Sequence, residues 1–231
     1  CLEDGQEKAL PELERMLGRP ASEIKAALGG ELRKLYTTDQ LTSEAYWRAV
    51  ISQSLRLPLP AIRPKIGEMI GKRVEDVSDS DISSTLERKI LEGYTPIASV
   101  IDVLRRLDDK GYRLGMVSNT SRERAARWSQ FEFFKVFRGH VNFSYSVGRK
   151  PEVLEHLLKA MAVDMTLELG QLVYADDKLE SVETAVQTGI GGGIHVIEGA
   201  TAAQERPSLK IVRATPHTFE QTLRQTYGFV F

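Results

Sequence analysis

Apolar positions follow two different rhythms along this chain. From Glu7 to Leu91 they recur at helical spacing. Tyr46, Trp47, Val50, Ile51 and Leu55 form one stripe over residues 43–55, behind Thr42, which is suited to cap that helix. Shorter helices are predicted at 13–17, 21–28, 62–70 and 82–91, divided by Gly18-Arg19-Pro20, Gly29-Gly30 and Leu57-Pro58-Leu59-Pro60. No strand-like alternation interrupts them, so the region reads as an all-helical subdomain. Its stripes are internal packing before they are a cofactor box, and Tyr46, Trp47 and Arg48 either line a site or lie inside this packing.

At Gly93 the rhythm changes. Thr95-Pro96 offers a cap and a first helical residue, and the stripe Ile97, Val100, Ile101, Leu104, Leu107 runs to Gly111, a good residue just past a helix end. Strands are predicted at 112–117, 140–145, 172–175 and 193–197. They alternate with helices at 122–130, at 178–187 and along Val153, Leu154, Leu157, Leu158 and Met161. That alternation argues for an α/β fold, a parallel sheet with helices on both faces. The tail Tyr227-Gly228-Phe229-Val230-Phe231 reads as an edge strand or packing peptide, with a central place in the sheet as the alternative.

Composition narrows the partners. A chain of 231 residues can be one α/β domain or a core with a smaller insertion. A formal net charge of -1 gives no global attraction to nucleic acid or to an anionic membrane, so anion binding has to be local. The single cysteine, Cys1, excludes an internal disulfide and a thiolate cluster, which fits a reducing compartment. No apolar run approaches the roughly 18 residues of a membrane span and no signal peptide is evident, so a cytoplasmic protein is expected. The first residue is Cys rather than Met, which leaves open an upstream piece.

The chemistry gathers at strand ends. Parallel strands present their carboxyl ends on one edge, where ligands of open α/β sheets bind. There this sequence places Ser118 and Asn119, then Lys150, then the pair Asp176-Asp177. Such a set suits phosphate: Ser118 and nearby backbone N–H groups bind phosphoryl oxygens, Lys150 offsets charge, and the carboxylates hold a Mg²⁺. Each piece has a plainer reading. Asp177 can cap the following helix, Ser118-Asn119 can be a strand-to-helix turn, and Lys150-Pro151 can be a solvated loop. His156 and His195 are assigned to packing or solvent.

These residues resemble the haloacid dehalogenase (HAD) superfamily. Val117-Ser118-Asn119-Thr120 is similar to its motif II, Arg149-Lys150-Pro151 to motif III, and Val173-Tyr174-Ala175-Asp176-Asp177-Lys178-Leu179-Glu180-Ser181-Val182 to motif IV. Gly93-Tyr94-Thr95-Pro96 and Lys110-Gly111-Tyr112 also look like that family. The resemblance implies a Rossmann-like core at 93–231, an inserted helical cap at 7–92 and a remnant of the core's N-terminus at 1–6. It assigns Ser118 and Lys150 to catalysis, Ser118, Asn119 and Lys150 to phosphate, and Asp176 and Asp177 to magnesium. The implied activity is a Mg²⁺-dependent phosphatase acting on a small phosphorylated metabolite through an aspartyl-phosphate, as a monomer or a homodimer.

One motif is missing. The family's nucleophile and general acid lie in an Asp-x-Asp-Gly stretch ending the first strand, and this chain has none. Glu3-Asp4-Gly5 is the nearest remnant, with Asp4 in the acid's place and Leu2 in the nucleophile's, and leucine cannot attack phosphorus. That strand is central in the family's sheet, and deleting it would leave unpaired backbone on both neighbours. A strand upstream of Cys1 is the first expectation, and the C-terminal tail is the alternative occupant. A catalytically inactive relative or phosphate-binding module is the competing function. A receiver-like signalling domain is weaker, because its acidic pair follows the first strand.

Overall fold

The structure is a computed structural model and describes residues 4–196 and 211–230. Cys1, Leu2, Glu3, Ile197 and Phe231, on which parts of the sequence reading fall, lie outside the described residues. In chain order the helices and strands are α1 (Gly5–Leu17), α2 (Ala21–Ala27), α3 (Gly30–Thr37), α4 (Ser43–Ala49), α5 (Leu59–Ile70), α6 (Asp79–Gly93), α7 (Ala98–Asp109), β1 (Met116–Ser118), α8 (Arg122–Trp128), β2 (Val141–Phe143), α9 (Ser144–Val147), α10 (Leu154–Asp164), β3 (Val173–Asp176), α11 (Leu179–Gln187), β4 (Gly192–Val196), β5 (Ile211–Ala214) and α12 (Phe219–Tyr227). Two compact units result. One holds residues 97–119 and the described residues from 128 onward, and the other holds residues 4–96 together with 120–127. No helix among the described residues is long and apolar enough to cross a membrane.

The helical unit is built by its caps and stripes. Thr42 Oγ1 accepts the N–H of Ala45 at 3.2 Å and starts α4, which continues as a π-helical turn over Val50–Ser54. Ser78 and Asp81 exchange hydrogen bonds at the start of α6, a capping box that extends this helix beyond its predicted start. The stripe Tyr46, Trp47, Val50, Ile51, Leu55 is buried against Leu13, Ile24, Leu28, Leu86 and Ile90. Tyr46 donates its hydroxyl to Leu28 O and Trp47 its indole N–H to Glu87, so both are packing residues. Arg48 is exposed and paired with Glu44 and Asp79. Asp4 caps α1, accepting the N–H of Gln6 at 2.9 Å.

In the other unit the strands are parallel, as their alternation with helices requires. β1 pairs with β2, and β3 pairs with β4, which pairs with β5. Leu154 and Leu158 of α10, Tyr174 of β3, Val182 and Ala185 of α11 and Ile211 of β5 form a core against which Val117 of β1 also packs. Gly193 lets α11 lie close on β4: a Cβ there would sit 2.5 Å from Val182 Cγ1. The result is a Rossmann-like core accompanied by a helical unit.

The sheet is in two pieces. β1 has β2 as its only strand neighbour among the described residues, and β3 has only β4. Burial follows from this. β1 is half-buried throughout and Ala175 in β3 is exposed, whereas the first three residues of β4 are buried. The described part of the tail, up to Val230, pairs with neither strand. α12 carries the chain to Tyr227, whose hydroxyl donates to Gly193 O at 2.8 Å, and Phe229 lies on the Tyr112 ring with centroids 4.7 Å apart. Val230 is exposed.

Two cap assignments change as well. α7 begins at Ala98 with no side-chain cap, and the Thr95 hydroxyl instead accepts from Lys8 Nζ at 2.8 Å. α11 begins after Lys178, also without a side-chain cap, so Asp177 does not cap it.

Candidate functional site

Lys150 is the centre of the site. Its loop is anchored by Asn119, whose side-chain amide donates to Lys150 O at 3.1 Å while its Oδ1 accepts the Lys150 N–H at 2.8 Å. This reciprocal pair occupies both polar atoms of the Asn119 side chain. The residue after β1 therefore positions the lysine main chain. From there the ammonium reaches Val117 O of β1 at 3.1 Å, the Tyr174 hydroxyl of β3 at 3.0 Å and Asp176 Oδ2. A lysine has three N–H donors, and here each has an acceptor.

Asp176 is equally engaged. Its Oδ2 accepts from Lys150 and from the Tyr174 hydroxyl, the latter at 2.6 Å, and its Oδ1 accepts the N–H of Lys178 at 2.8 Å. Burial raises the carboxyl pKa, but the Lys150 charge and these hydrogen bonds outweigh it and hold the group below its ordinary value. Burial, followed by the neighbouring Asp176 charge and the hydrogen bond to it, pushes the Tyr174 hydroxyl up, so it remains a donor at neutral pH.

The other two predicted residues behave differently. Ser118 ends β1 opposite Phe143, half-buried, and its hydroxyl makes no hydrogen bond among the described residues. Asp177 is turned to solvent, its side chain 73% exposed and 3.2 Å from Lys178 Nζ. Its carbonyl accepts from His195 Nε2 at 3.1 Å; since a carbonyl only accepts, Nε2 carries the proton, and the buried Nδ1 has no partner. The strand ends thus join Lys150, Asp176 and Asn119 in one network, while Ser118 and Asp177 are outside it.

Tyr174 was missed in the sequence reading. Tyr174 could have been found, because it is two residues before Asp176 on one strand and so shares its face. His195 stands opposite Asp176 in the β3–β4 register, which only the structure supplies.

The donors can be tested against the expected magnesium. No group of three or more His, Cys, Asp or Glu side chains able to hold a metal ion occurs among the described residues. Asp176 has both oxygens committed, one of them to an ammonium that a divalent cation would have to displace or adjoin. Asp177 alone is open. Magnesium asks for near-octahedral oxygen ligands, so this donor set does not fit it unaided.

Comparison with known proteins follows the same line. No protein-family model and no curated protein sequence matches the chain. Among solved structures it is similar to a HAD family enzyme from Bacteroides thetaiotaomicron, with a TM-score of 0.58, 16% identity, and 86% of this chain and 89% of that one covered. A Thermotoga maritima structure, provisionally named a beta-phosphoglucomutase, matches with a TM-score of 0.49 and 16% identity over 84% of this chain and 90% of that one. At such identity the first likeness shows the fold, and the chain has the HAD fold expected from its strand-end motifs.

Proposed function

We propose that this chain, with its HAD fold, forms the phosphate-stabilising side of a phosphatase site for a small phosphorylated substrate. The observation that carries the reading is the Lys150 ammonium, fixed by Asn119 and shared between the carboxyl ends of β1 and β3. A phosphoryl group arriving there replaces one of the three acceptors of the ammonium and then meets a cation held in place by the others as charge develops. Ser118, whose hydroxyl is unengaged among the described residues, supplies a donor beside it. Asp176 keeps the lysine aimed.

Attack needs a further group. The Asp176 oxygens are occupied and Asp177 is solvated beside a lysine, so neither serves as nucleophile. The unpaired edges of β1 and β3 support a nucleophilic aspartate brought in on an extended segment lying between them. A magnesium ion joins this reading only together with such a second carboxylate beside Asp177, and no step is derived through it.

A second reading, a phosphate-binding module without turnover, is favoured by the engagement of both Asp176 oxygens and the exposure of Asp177, which leave neither carboxylate placed to attack. Hydrolysis of p-nitrophenyl phosphate by the complete gene product, with and without Mg²⁺, separates the two when paired with Lys150→Met. Turnover that falls by about 10²–10³-fold in the variant is the expected result, the size seen when one preorganised donor is removed. Stabilisation of the parent by inorganic phosphate with no turnover under any condition would discard the hydrolase in favour of the binding module.

A further inference from the structure

The three acceptors around the Lys150 ammonium are unequal. Asp176 is a carboxylate whose side chain is 6% exposed, and losing the ammonium would leave its charge desolvated and without a counter-charge. Val117 O is bound by position. Met116 donates its N–H to His140 O beside β2, so Val117, one residue on, turns its carbonyl to the opposite edge of β1, which no strand covers among the described residues. There the ammonium stands in for a ladder donor, and its departure would orphan a half-buried carbonyl. Tyr174 differs from both. Its hydroxyl has one proton and two lone pairs, and the proton goes to Asp176 Oδ2 at 2.6 Å. Without the ammonium at 3.0 Å it would keep that bond and leave no charge unpaired.

The surroundings decide which partner moves. The Tyr174 ring is buried in the core with Leu154, Leu158 and Val182, so its hydroxyl is fixed in place. Lys150 is not fixed in the same way, because an ammonium turns its three donors about a single bond. Its main chain is held by Asn119 whichever way those donors point. The Tyr174 ring also faces the cation, with Nζ 5.6 Å from its centroid, a contact that does not need the hydroxyl.

We infer that the Tyr174 hydroxyl competes with phosphate for Lys150: it holds one N–H of the ammonium until a phosphoryl oxygen takes that N–H over, and so sets the affinity of the site. This exchange rests on the phosphate site proposed above. Tyr174 is then an affinity-setting residue that acts through the lysine, and removing its hydroxyl strengthens phosphate binding. In Tyr174→Phe one N–H of the buried ammonium lacks an acceptor, and phosphate supplies it. The bond from Tyr174 to Asp176 is missing in the free and the bound variant alike and cancels from the comparison.

Calorimetric titration of the full chain with inorganic phosphate reads this without any activity. Tyr174→Phe is expected to bind phosphate about tenfold more tightly than the parent, the worth of one hydrogen bond to a charged group, and Lys150→Met to lose binding. A merely structural tyrosine would give equal or weaker binding when altered. Equal or weaker binding by Tyr174→Phe, with binding lost in Lys150→Met, therefore overturns the competition and leaves the phosphate site standing. Phosphate bound as tightly by Lys150→Met as by the parent, or by neither the parent nor Tyr174→Phe, rejects the proposed site and the competition with it. If Tyr174→Phe does not fold, the parent decides. With its tyrosines carrying ¹³C at Cζ, the resonance assigned to Tyr174 is expected to shift with the same midpoint as phosphate binding. A resonance that stays still through saturation overturns the proposal.

Discussion

Replacing Lys150 by Met removes the charge from the centre of the site while keeping an apolar stem for packing. The side chains of Lys150 and Asp176 are 12% and 6% exposed, so water screens their attraction little. In the variant, the Asp176 carboxylate keeps the Tyr174 hydroxyl at 2.6 Å and the Lys178 amide at 2.8 Å but loses its counter-charge. Removing one partner of a buried pair costs about 3–5 kcal/mol, because the other charge stays desolvated. The two surviving hydrogen bonds occur in both proteins and cancel from the difference. Protonation of Asp176 limits the penalty, so the lower end, about 3 kcal/mol, is expected at pH 7.

Urea unfolding measures this as a lower midpoint at unchanged slope. The pH dependence then distinguishes mechanisms. In the parent the folded Asp176 pKa lies below its unfolded value, so its contribution is complete above about pH 4 and fades as the pH falls through the folded pKa. In the variant burial, already the largest single influence, no longer meets the Lys150 charge and lifts the folded pKa above the unfolded one. Stability should then rise as the pH falls from 7 towards 4. A variant within about 1 kcal/mol of the parent at pH 7, or one with the parental acid slope, would refute the idea that this pair is desolvated and mutually dependent.

Other substitutions probe individual contacts. Tyr174→Phe deletes the donor to Asp176 and an acceptor of Lys150 and should cost about 1–3 kcal/mol in the same urea assay; an unchanged midpoint would mean that Lys150 alone satisfies the carboxylate. Gly193→Ala forces a methyl group to within 2.5 Å of Val182 Cγ1 and should destabilise by about 1–3 kcal/mol, read as a drop in melting temperature. A parental melting temperature would show that α11 can back away from β4. Thr42→Ala removes the cap on Ala45 N–H and is expected to cost about 1 kcal/mol by thermal melting, whereas Thr42→Asn should cost nothing measurable.

The legible parts of the fold were those set by local rules. Thr42 and its stripe gave α4, and the apolar runs ending in Ser118 and Asp176 gave strand ends where β1 and β3 stop. Regions where local signals conflict were misread. Pro11 hid the first half of α1, Gly29-Gly30 looked like a break although α3 starts there, and strand 112–117 shrinks to Met116–Ser118. β5 and α12 went unseen, and the aromatic tail suggested a strand where α12 and a left-handed Gly228 turn occur. In the site, residue types at strand ends singled out Lys150 and Asp176, which the structure brings into contact. They did not reveal that Asn119 serves the lysine main chain or that Asp177 turns outward, because both depend on contacts between segments about thirty or more residues apart, or on exposure that strand-end position does not fix. Glu87 and Arg124, whose side chains form a buried ion pair, drew no reading from the sequence for the same reason.

The helical unit is discontinuous in sequence, and that sets the order in which it is completed during synthesis. Glu87 leaves the ribosome 37 residues ahead of Arg124, with all of β1 between them. At about 5–20 residues per second, its carboxylate waits roughly 2–7 s for its cation, amid the apolar side chains of Leu86 and Ile90. A chain cut after Pro96 never receives it. Such a fragment should show reduced cooperativity in circular-dichroism melts, restored when Glu87 is replaced by Leu.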